Sequence, residues 1–320
     1  MLSLAGLAAA IPFIRPLVWP KRLTELLSEK PTELPPGFQA EDPKDQVNGW
    51  PRVLVHQDTG ARLIRIEGGT FTPGNVSDAA EDEPHDRKSA SSIILPDFYM
   101  QETEVTNAMM ETYFRARKLA PEDRPPRWRK VCQWLEKQVA DIGPYPAVGI
   151  PHDMAEAFAR WMGGRLPREA EWEYAARSRG ERRRYVWRNE LKPSRKLANI
   201  DSVDEYPTKF LPPKFFPSDQ TEQGIYDLFG NVKEWCLEPY HDLTEQPTHR
   251  SQDAASSEPG RSGRHVIRGG SFLSWSDRVS TTGPRFPEAS ELTAKELAED
   301  GSASDLGFRV VVEWPRRRRP

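Results

Sequence analysis

Alternating apolar and polar positions predict several short strands in the first third of the chain. The stretch RVLVHQDTGARLIRIEGGTFTPG, which starts at Arg52, alternates on both sides of a DTG turn and predicts a hairpin. A further strand is predicted in SASSIILPDFYMQETEVT, which starts at Ser89. The strands are short and lie between turn residues, as in a fold with many loops.

Apolar residues at helical spacing predict three helices further along the chain. The first begins after Thr106, which is a suitable N-cap. The second runs from about His152 to Met162 and stops at Gly163. The third is predicted in PREAEWEYAARSRG, with Pro167 in its first turn and Gly180 at its end.

Composition divides the chain into three parts. Residues 1–48 are predicted to form an apolar arm and a Pro-rich linker, residues 49–314 a domain, and residues 315–320 a basic tail. The apolar run Leu2–Ile14 is too short to span a membrane. We expect an arm that packs on the domain or on a partner, in preference to a signal peptide or a membrane contact through residues 1–19.

Charge and cysteine content exclude several classes of protein. The net charge of -3 gives no general attraction to nucleic acid, so no nucleic-acid partner is expected. The two cysteines, Cys132 and Cys236, are too few for a disulfide framework or a zinc site, and they favour a reducing compartment. The 30 prolines and 21 glycines predict a loop-rich fold rather than a helical bundle.

Four stretches in a fixed order carry a family resemblance. They are GGTFTPG, GGRLPREAEWEYAAR, YDLFGNVKEW and RGGSF with LGFRVV, between about residues 60 and 313. The chain therefore resembles the sulfatase-modifying-factor family, which includes the formylglycine-generating enzymes. The resemblance implies a single, loop-rich α+β domain similar to the C-type lectin fold.

The REAEWEYAAR helix is interpreted as structural. We expect Trp172 and Tyr174 to lie in the core or in the wall of a cleft. Glu173 and Arg177 are four residues apart, which predicts a helical ion pair worth a few tenths of a kcal/mol if it is exposed.

The stretch YDLFGNVKEW brings two carboxylates, Asp227 and Glu234, near a turn at Gly230. Carboxylate and carbonyl oxygens are what calcium requires, although an Asx turn with an exposed Glu is the simpler interpretation. The family resemblance implies calcium binding by the side chains of Asp227 and Glu234 and by the carbonyls of Gly230 and Val232.

A second calcium site is implied by the same resemblance in the stretch that begins ANI. It would use the side chain of Asn199, the carbonyl of Ile200, and then Asp204 and Tyr206. The spacing after Ile200 is shorter than in the animal members of the family. Bound ions would explain how a long loop region stays ordered.

The loop after RGGS departs from the family at the reacting atoms. In the oxidising members, two cysteines in this loop bind copper and convert a sulfatase cysteine to formylglycine. Here the matching positions are Ser274 and Val279, neither of which supplies a thiolate for Cu(I). No copper and no catalytic residue are therefore expected.

Two functions remain open for this loop. In a recognition module for a protein, peptide or other ligand, residues 271–286 would form the binding surface, with contacts from Trp275, Asp277, Arg278 and Arg285. The simpler interpretation makes Trp275 a core residue and pairs Arg278 with Asp277 or with an acidic insert. The alternative function is a formylglycine-generating oxidase that acts on a protein cysteine through an atypical site.

Overall fold

The structure is a computed structural model, and it describes residues 33–74, 92–187, 191–200, 211–239, 265–274 and 305–313. The chain divides into two compact units, Met1–Lys30 and Pro31–Pro320, and all the described residues lie in the second. Within the described ranges, no helix combines the length and the apolar character that a bilayer crossing requires.

Strands and helices in the described ranges are all short, as the Pro and Gly content predicts. The strands are β1 (Phe38–Ala40), β2 (Gln46–Val47), β3 (Trp50–Pro51), β4 (Val53–His56), β5 (Arg62–Ile66), β6 (Gly69–Phe71), β7 (Ile93–Leu95), β8 (Phe98–Gln101), β9 (Lys233–Pro239), β10 (His265–Arg268), β11 (Leu306–Gly307) and β12 (Val311–Val312). The helices are α1 (Asn107–Ala116), α2 (Pro126–Leu135), α3 (His152–Trp161) and α4 (Glu169–Ala176), with a 3-10 turn at Pro121–Asp123.

A five-stranded antiparallel sheet, in the order β1-β4-β5-β8-β12, combines four strands from the first half of the domain with β12 from its end. The predicted hairpin is its β4–β5 pair, where Leu54 lies opposite Leu63. The main apolar core contains Leu54 and Leu63 of this sheet together with Met110 of α1 and Phe158 of α3. The mixed helices and strands confirm the predicted α+β class.

A three-stranded sheet, in the order β10-β9-β11, positions the residues discussed below. Strand β10 is antiparallel to β9, with a register shift between His265 and Ile267, and β11 is parallel to β9. This pairing brings the start of β9, the chain after β10 and the chain before β11 to the same end of the sheet.

Two of the predicted helices form as expected. The N-cap of α1 is Thr106, whose Oγ accepts a hydrogen bond from the backbone N of Met109 at 3.4 Å. Helix α3 ends before Gly163, which has a φ of +82° that favours glycine. Helix α4 ends at Ala176 rather than at Gly180.

Helix α2 was not predicted, although the sequence carried a signal for it. Its buried residues are Trp128, Val131, Cys132 and Leu135, which recur at helical spacing after a proline at the first position.

The predicted boundary between an arm and the domain at residues 48 and 49 is too late. Strand β1 pairs with β4, with Phe38 opposite His56, and Phe38 is buried in the main core. A Pro-rich composition does not prevent a short edge strand, because proline is tolerated at sheet edges. Residues 33–48 therefore contribute to the domain.

Candidate functional site

Arg309 is the centre of a buried polar group at the YDLFGNVKEW turn. Its guanidinium donates to both carboxylate oxygens of Glu234, at 2.6 to 2.9 Å, and both side chains are almost fully buried. Glu234 also accepts a hydrogen bond from the indole N–H of Trp172 at 2.9 Å. Trp172 therefore lies in the core, as predicted, and it holds Glu234 in place.

Three more carboxyl groups lie within electrostatic range of this pair. We call Glu104, Asp219, Asp227, Glu234 and Arg309 the Arg309 cluster. Burial raises the pKa of Glu104 well above its usual range, and the charge of Asp227 adds to that effect. Burial raises the pKa of Asp219 in the same way, and it raises the pKa of Asp227 to about 7. Four buried acids around one arginine leave an excess of negative charge when ionised.

The turn is shaped by backbone contacts of these acids. Asp219 accepts hydrogen bonds from the backbone N–H groups of Phe229 and Gly230, at 3.2 and 2.9 Å. Asp227 has a φ of +58° and accepts from the backbone N of Lys214 at 2.8 Å. A Cβ at Gly230 would lie 2.7 Å from the carbonyl oxygen of Asn199, so only glycine fits there.

The chemistry of these donors fits a calcium ion, although Glu234 is already paired. Glu104 Oε2 is a buried carboxylate oxygen with no hydrogen-bond partner among the described residues. A cation would offset the excess negative charge at Glu104 and Asp227. In the described part of the chain, however, no three His, Cys, Asp or Glu side chains converge closely enough to hold a metal by themselves. Such an ion would therefore also need backbone carbonyls, as predicted for Gly230 and Val232.

The two predicted calcium sites adjoin each other in the fold. The amide of Asn199 donates to Asn231 Oδ1 at 3.0 Å, and the backbone N of Asn231 donates to Asn199 O at 2.9 Å. Ile200 and Val232 are buried apolar residues. Asp204 and Tyr206 lie outside the described residues.

The predicted Glu173–Arg177 ion pair forms and is buried, so the magnitude given for an exposed pair does not apply to it. Arg177 donates to Glu173 Oε1 at 2.9 Å, and Arg268 of β10 donates to Glu173 Oε2 at 3.1 Å. Glu173 also accepts from the backbone N of Gly74 at 2.7 Å, while Tyr174 is a core residue as predicted. Helical spacing predicted the ion pair correctly but not its burial, because Arg268 comes from a distant strand.

The loop after RGGS forms a second polar group, which includes Ser274. We call Lys233, Ser271, Ser274 and Asp305 the Ser271 cluster. The Ser271 hydroxyl donates to Asp305 Oδ2 at 2.5 Å, and Lys233 Nζ lies 2.9 Å from the same oxygen. Ser274 Oγ accepts from the backbone N of Ser271 at 2.9 Å, which closes a tight turn.

The remaining predicted residues of this loop are Val279, Trp275, Asp277, Arg278 and Arg285, and they lie outside the described residues. The predicted recognition surface is therefore described only at its start, from Ser271 to Ser274. In that part Leu273 is 38% exposed, whereas Phe272 is buried.

Neither cysteine resembles a reactive thiol. Both are buried and free, Cys132 on α2 and Cys236 on β9. Burial raises the pKa of Cys132 to about 12 and raises the pKa of Cys236 well above its usual range. Both thiols are therefore protonated near neutral pH and are poor nucleophiles or copper ligands.

Five residues of the two polar groups were not predicted from the sequence. Glu104, Asp219 and Arg309 complete the Arg309 cluster, and Lys233 and Asp305 complete the Ser271 cluster. Asp305 directly precedes LGFR, Arg309 is its last residue, and Lys233 lies inside YDLFGNVKEW. A charged residue inside an otherwise apolar motif was the available signal, because it is buried only when it is paired.

The fold and the two polar groups define a loop-rich α+β domain. Residues 53–314 match the family model described as the sulfatase-modifying factor enzyme 1-like domain. The chain belongs to this family, which confirms the predicted resemblance.

Some relatives of the chain are named as enzymes, and others are named as inactive. It is 27% identical over 292 residues to a formylglycine-generating enzyme of Streptomyces coelicolor, covering 78% of this chain and 88% of that protein. It is 25% identical over 299 residues to inactive C-alpha-formylglycine-generating enzyme 2 of Mus musculus, covering 82% and 89%. Among solved structures, PvdO of Pseudomonas aeruginosa matches with a TM-score of 0.59 at 22% identity, over 82% of this chain and 97% of that one. This last likeness concerns the fold alone.

Proposed function

We propose that this chain is a non-catalytic member of the family that recognises a protein or peptide. The observation that carries the proposal is Ser274, which stands where the oxidising members have the first thiol of their pair. Its Oγ accepts a hydrogen bond from Ser271 at 2.9 Å and is part of the local turn. Serine is a hard, weak ligand for Cu(I), so the turn lacks the soft donor that the oxidation needs.

The environment of the cysteines supports the same proposal. Cys132 Sγ lies 3.9 Å from the side-chain oxygen of Asn107 inside the main core, and Cys236 is 0% exposed on β9. A thiol in either place would have to reach the loop after RGGS as a thiolate. Burial opposes ionisation of both, so neither replaces the pair.

The existence of a relative named as inactive also supports a non-catalytic role, since the match covers most of both chains. The relative named formylglycine-generating enzyme matches over a similar length. Overall similarity therefore does not discriminate between a non-catalytic member and an oxidase. The proposal depends instead on the identity of the residue at position 274, which is serine.

The contacts of the proposed recognition surface are Trp275, Asp277, Arg278 and Arg285. Aromatic and arginine side chains are frequent hot spots at protein interfaces. The first residues of this loop are held in place, because Phe272 N donates to Asn231 O at 3.0 Å and Phe272 is buried. Through this bond the loop is attached to the YDLFGNVKEW turn.

We further propose that calcium stabilises this turn, with Asp227 and Glu234 as side-chain ligands and Gly230 and Val232 as carbonyl ligands. The support is the excess of buried carboxyl groups around Arg309. Asn199, Ile200, Asp204 and Tyr206 are proposed for a second ion. Calcium would supply positive charge and no redox chemistry.

The proposed function is tested by an aerobic assay of the purified full chain with copper and a cysteine-containing sulfatase peptide. We expect no formylglycine above a control without protein. The Ser274→Cys, Val279→Cys double variant is the matched comparison, and it should gain tight Cu(I) binding because the frame of the loop is present. Turnover by the unchanged chain would contradict the proposal and support the alternative of an oxidase with an atypical site.

The recognition surface is tested separately, by comparing Trp275→Ala and Arg278→Ala with the unchanged chain for binding to the same peptide with its cysteine replaced by serine. We expect weaker binding by both variants, about tenfold or more for a hot-spot residue. Arg160→Ala is the control, since Arg160 is exposed on α3 and far along the chain from the loop. Binding by the unchanged chain that neither variant weakens would contradict the assigned contacts.

A further inference from the structure

The Ser271 cluster contains two polar atoms with unused hydrogen-bonding capacity. The side chain of Asp305 is only 6% exposed, and both of its partners, Ser271 and Lys233, contact the same oxygen, Oδ2. The other oxygen, Oδ1, accepts no hydrogen bond from a described residue. A carboxylate oxygen that is nearly buried is a strong acceptor for any donor that reaches it.

Ser274 supplies the second unused group, a hydroxyl hydrogen. Its Oγ is occupied as an acceptor by the backbone N of Ser271. For donation, the described contact of this hydroxyl is with Ser271 Oγ at 3.4 Å, which is beyond the usual length of an O–H···O bond and leaves the hydrogen available to a closer acceptor. Ser271 Oγ itself already donates to Asp305 and accepts from the backbone N of Leu273.

The position of the cluster is fixed by the backbone. Lys233 N donates to Asp305 O at 2.8 Å, and Leu306 of β11 pairs with Lys233 of β9. Ser274 N donates to Ser271 O at 2.8 Å. The unused acceptor and donor are therefore held on a rigid support, which reduces the entropy lost on binding.

The charges in the cluster exclude ionic ligands as its best partners. Asp305 repels an anion, whereas the ammonium of Lys233, which is 23% exposed, repels a cation. A neutral group that donates to Asp305 Oδ1 and accepts from the Ser274 hydroxyl meets neither repulsion. A primary carboxamide has both functions on one carbon atom, at the spacing of a bidentate hydrogen-bonding pair.

We propose that the Ser271 cluster is a subsite for the carboxamide side chain of an Asn or Gln residue in the recognised peptide. This proposal rests on the proposed function and names the chemistry of its central contact. Exposed Leu273 lies beside the subsite and would pack against the aliphatic stem of such a side chain. Oxidising members of the family act on a substrate cysteine at this position. In this chain the same position would bind a neutral carboxamide.

The test uses the 15N-labelled full chain and three small probes of similar size, namely acetamide, acetate and methylammonium. We expect acetamide to shift the backbone amide signals of Ser271, Leu273, Ser274 and Asp305, with a Kd on the order of tens of millimolar for so small a ligand. Acetate and methylammonium should shift these signals at least several-fold less at equal concentration and ionic strength.

Variants identify the atoms involved. Ser274→Ala removes the donor and should weaken acetamide binding several-fold, and Asp305→Asn should abolish the preference for acetamide over the charged probes. Ser92→Ala is the matched control, since it removes a serine hydroxyl that bonds Thr72 at 2.8 Å near β7, outside the cluster. A melting curve of each variant shows whether the fold is kept.

The proposal is overturned if acetamide shifts none of these signals, or if either charged probe shifts them as strongly. It is also overturned if Ser274→Ala binds acetamide as well as the unchanged chain. None of these results touches the proposed function, which depends on the oxidation assay and on Trp275 and Arg278. Formylglycine production would in turn refute the proposed function, whatever acetamide does.

Discussion

The Arg309 cluster and the Ser271 cluster occupy the same end of one sheet, yet their charges are organised differently. The Arg309 cluster buries four carboxyl groups around one arginine, and burial raises the pKa of three of them. The Ser271 cluster contains one carboxylate and one ammonium, with the ammonium partly exposed.

This difference separates a stabilising role from a binding role. A buried excess of negative charge is unfavourable until a proton or a metal ion offsets it, so the Arg309 cluster couples the fold to cations. In the Ser271 cluster the carboxylate of Asp305 has a partly exposed ammonium beside it, and the unused acceptor of Asp305 and donor of Ser274 remain for a ligand. Mutation of the first cluster should therefore change stability, whereas mutation of the second should change binding more than stability.

The largest expected effect is that of Arg309→Met. The change leaves Glu234 buried without Arg309, its positively charged partner among the described residues, and removing one member of a buried pair destabilises by about 3–5 kcal/mol. Urea unfolding followed by circular dichroism measures it. Arg160→Met is the control, because Arg160 forms an exposed pair with Glu156 and should change stability by less than about 1 kcal/mol. Equal effects of the two changes would contradict the assigned role of Arg309.

Calcium should have the next largest effect, and the Asp227→Asn variant measures the part of it that depends on the Arg309 cluster. An ion that binds the native state alone stabilises it by about 2.7 kcal/mol at 100 times its Kd. We expect the melting temperature to rise on adding calcium and to fall on adding a chelator. Asp227→Asn keeps a residue that tolerates the φ of +58° but removes the charge, so it should reduce the response. An unchanged melting temperature with calcium and with chelator would remove the calcium proposal.

Ser271→Ala should have a smaller effect, of about 1–2 kcal/mol. It removes a hydroxyl that donates to the carboxylate of Asp305, while Lys233 still compensates the charge. Ser218→Ala is the control, since the hydroxyl of Ser218 donates to a neutral carbonyl, that of Leu197, at 2.8 Å. A loss of stability as large as that of Arg309→Met would show that the Ser271 cluster is structural as well.

Local features of the fold were predictable from the sequence because neighbouring residues determine them. The cap at Thr106, the end of α3 at Gly163 and the β4–β5 hairpin all depend on residues a few positions apart. Helix α2 followed the same rule and was overlooked. Strand β1 was less predictable, because only Phe38 in a Pro-rich stretch marks it.

The polar clusters depended instead on residues far apart in the chain. Nothing in YDLFGNVKEW shows that Glu234 meets Arg309, or that Lys233 meets Asp305. Family resemblance placed Ser274 at the reactive position, but only the fold supplied its neighbours. Long-range pairing of charged groups follows from topology, which short sequence patterns do not specify.

The smallest expected effect is a pH dependence of stability that involves Asp227. Burial raises its pKa from 3.8 to about 7, so without calcium the folded chain binds a proton that the unfolded chain has already released. Protonation therefore stabilises the fold below pH 7, and this contribution is lost as the pH rises through about 7. One such group changes the free energy of unfolding by at most about 1 kcal/mol between pH 7 and 6. The quantity to measure is the difference between the unchanged chain and Asp227→Asn in a chelating buffer, which contains the titration of Asp227 and its effect on the neighbouring carboxyl groups, while groups outside the Arg309 cluster contribute equally to both chains. A difference that is constant from pH 5 to 8 would contradict the prediction, and one that disappears when calcium is added would connect the proton and the ion to the same carboxylate.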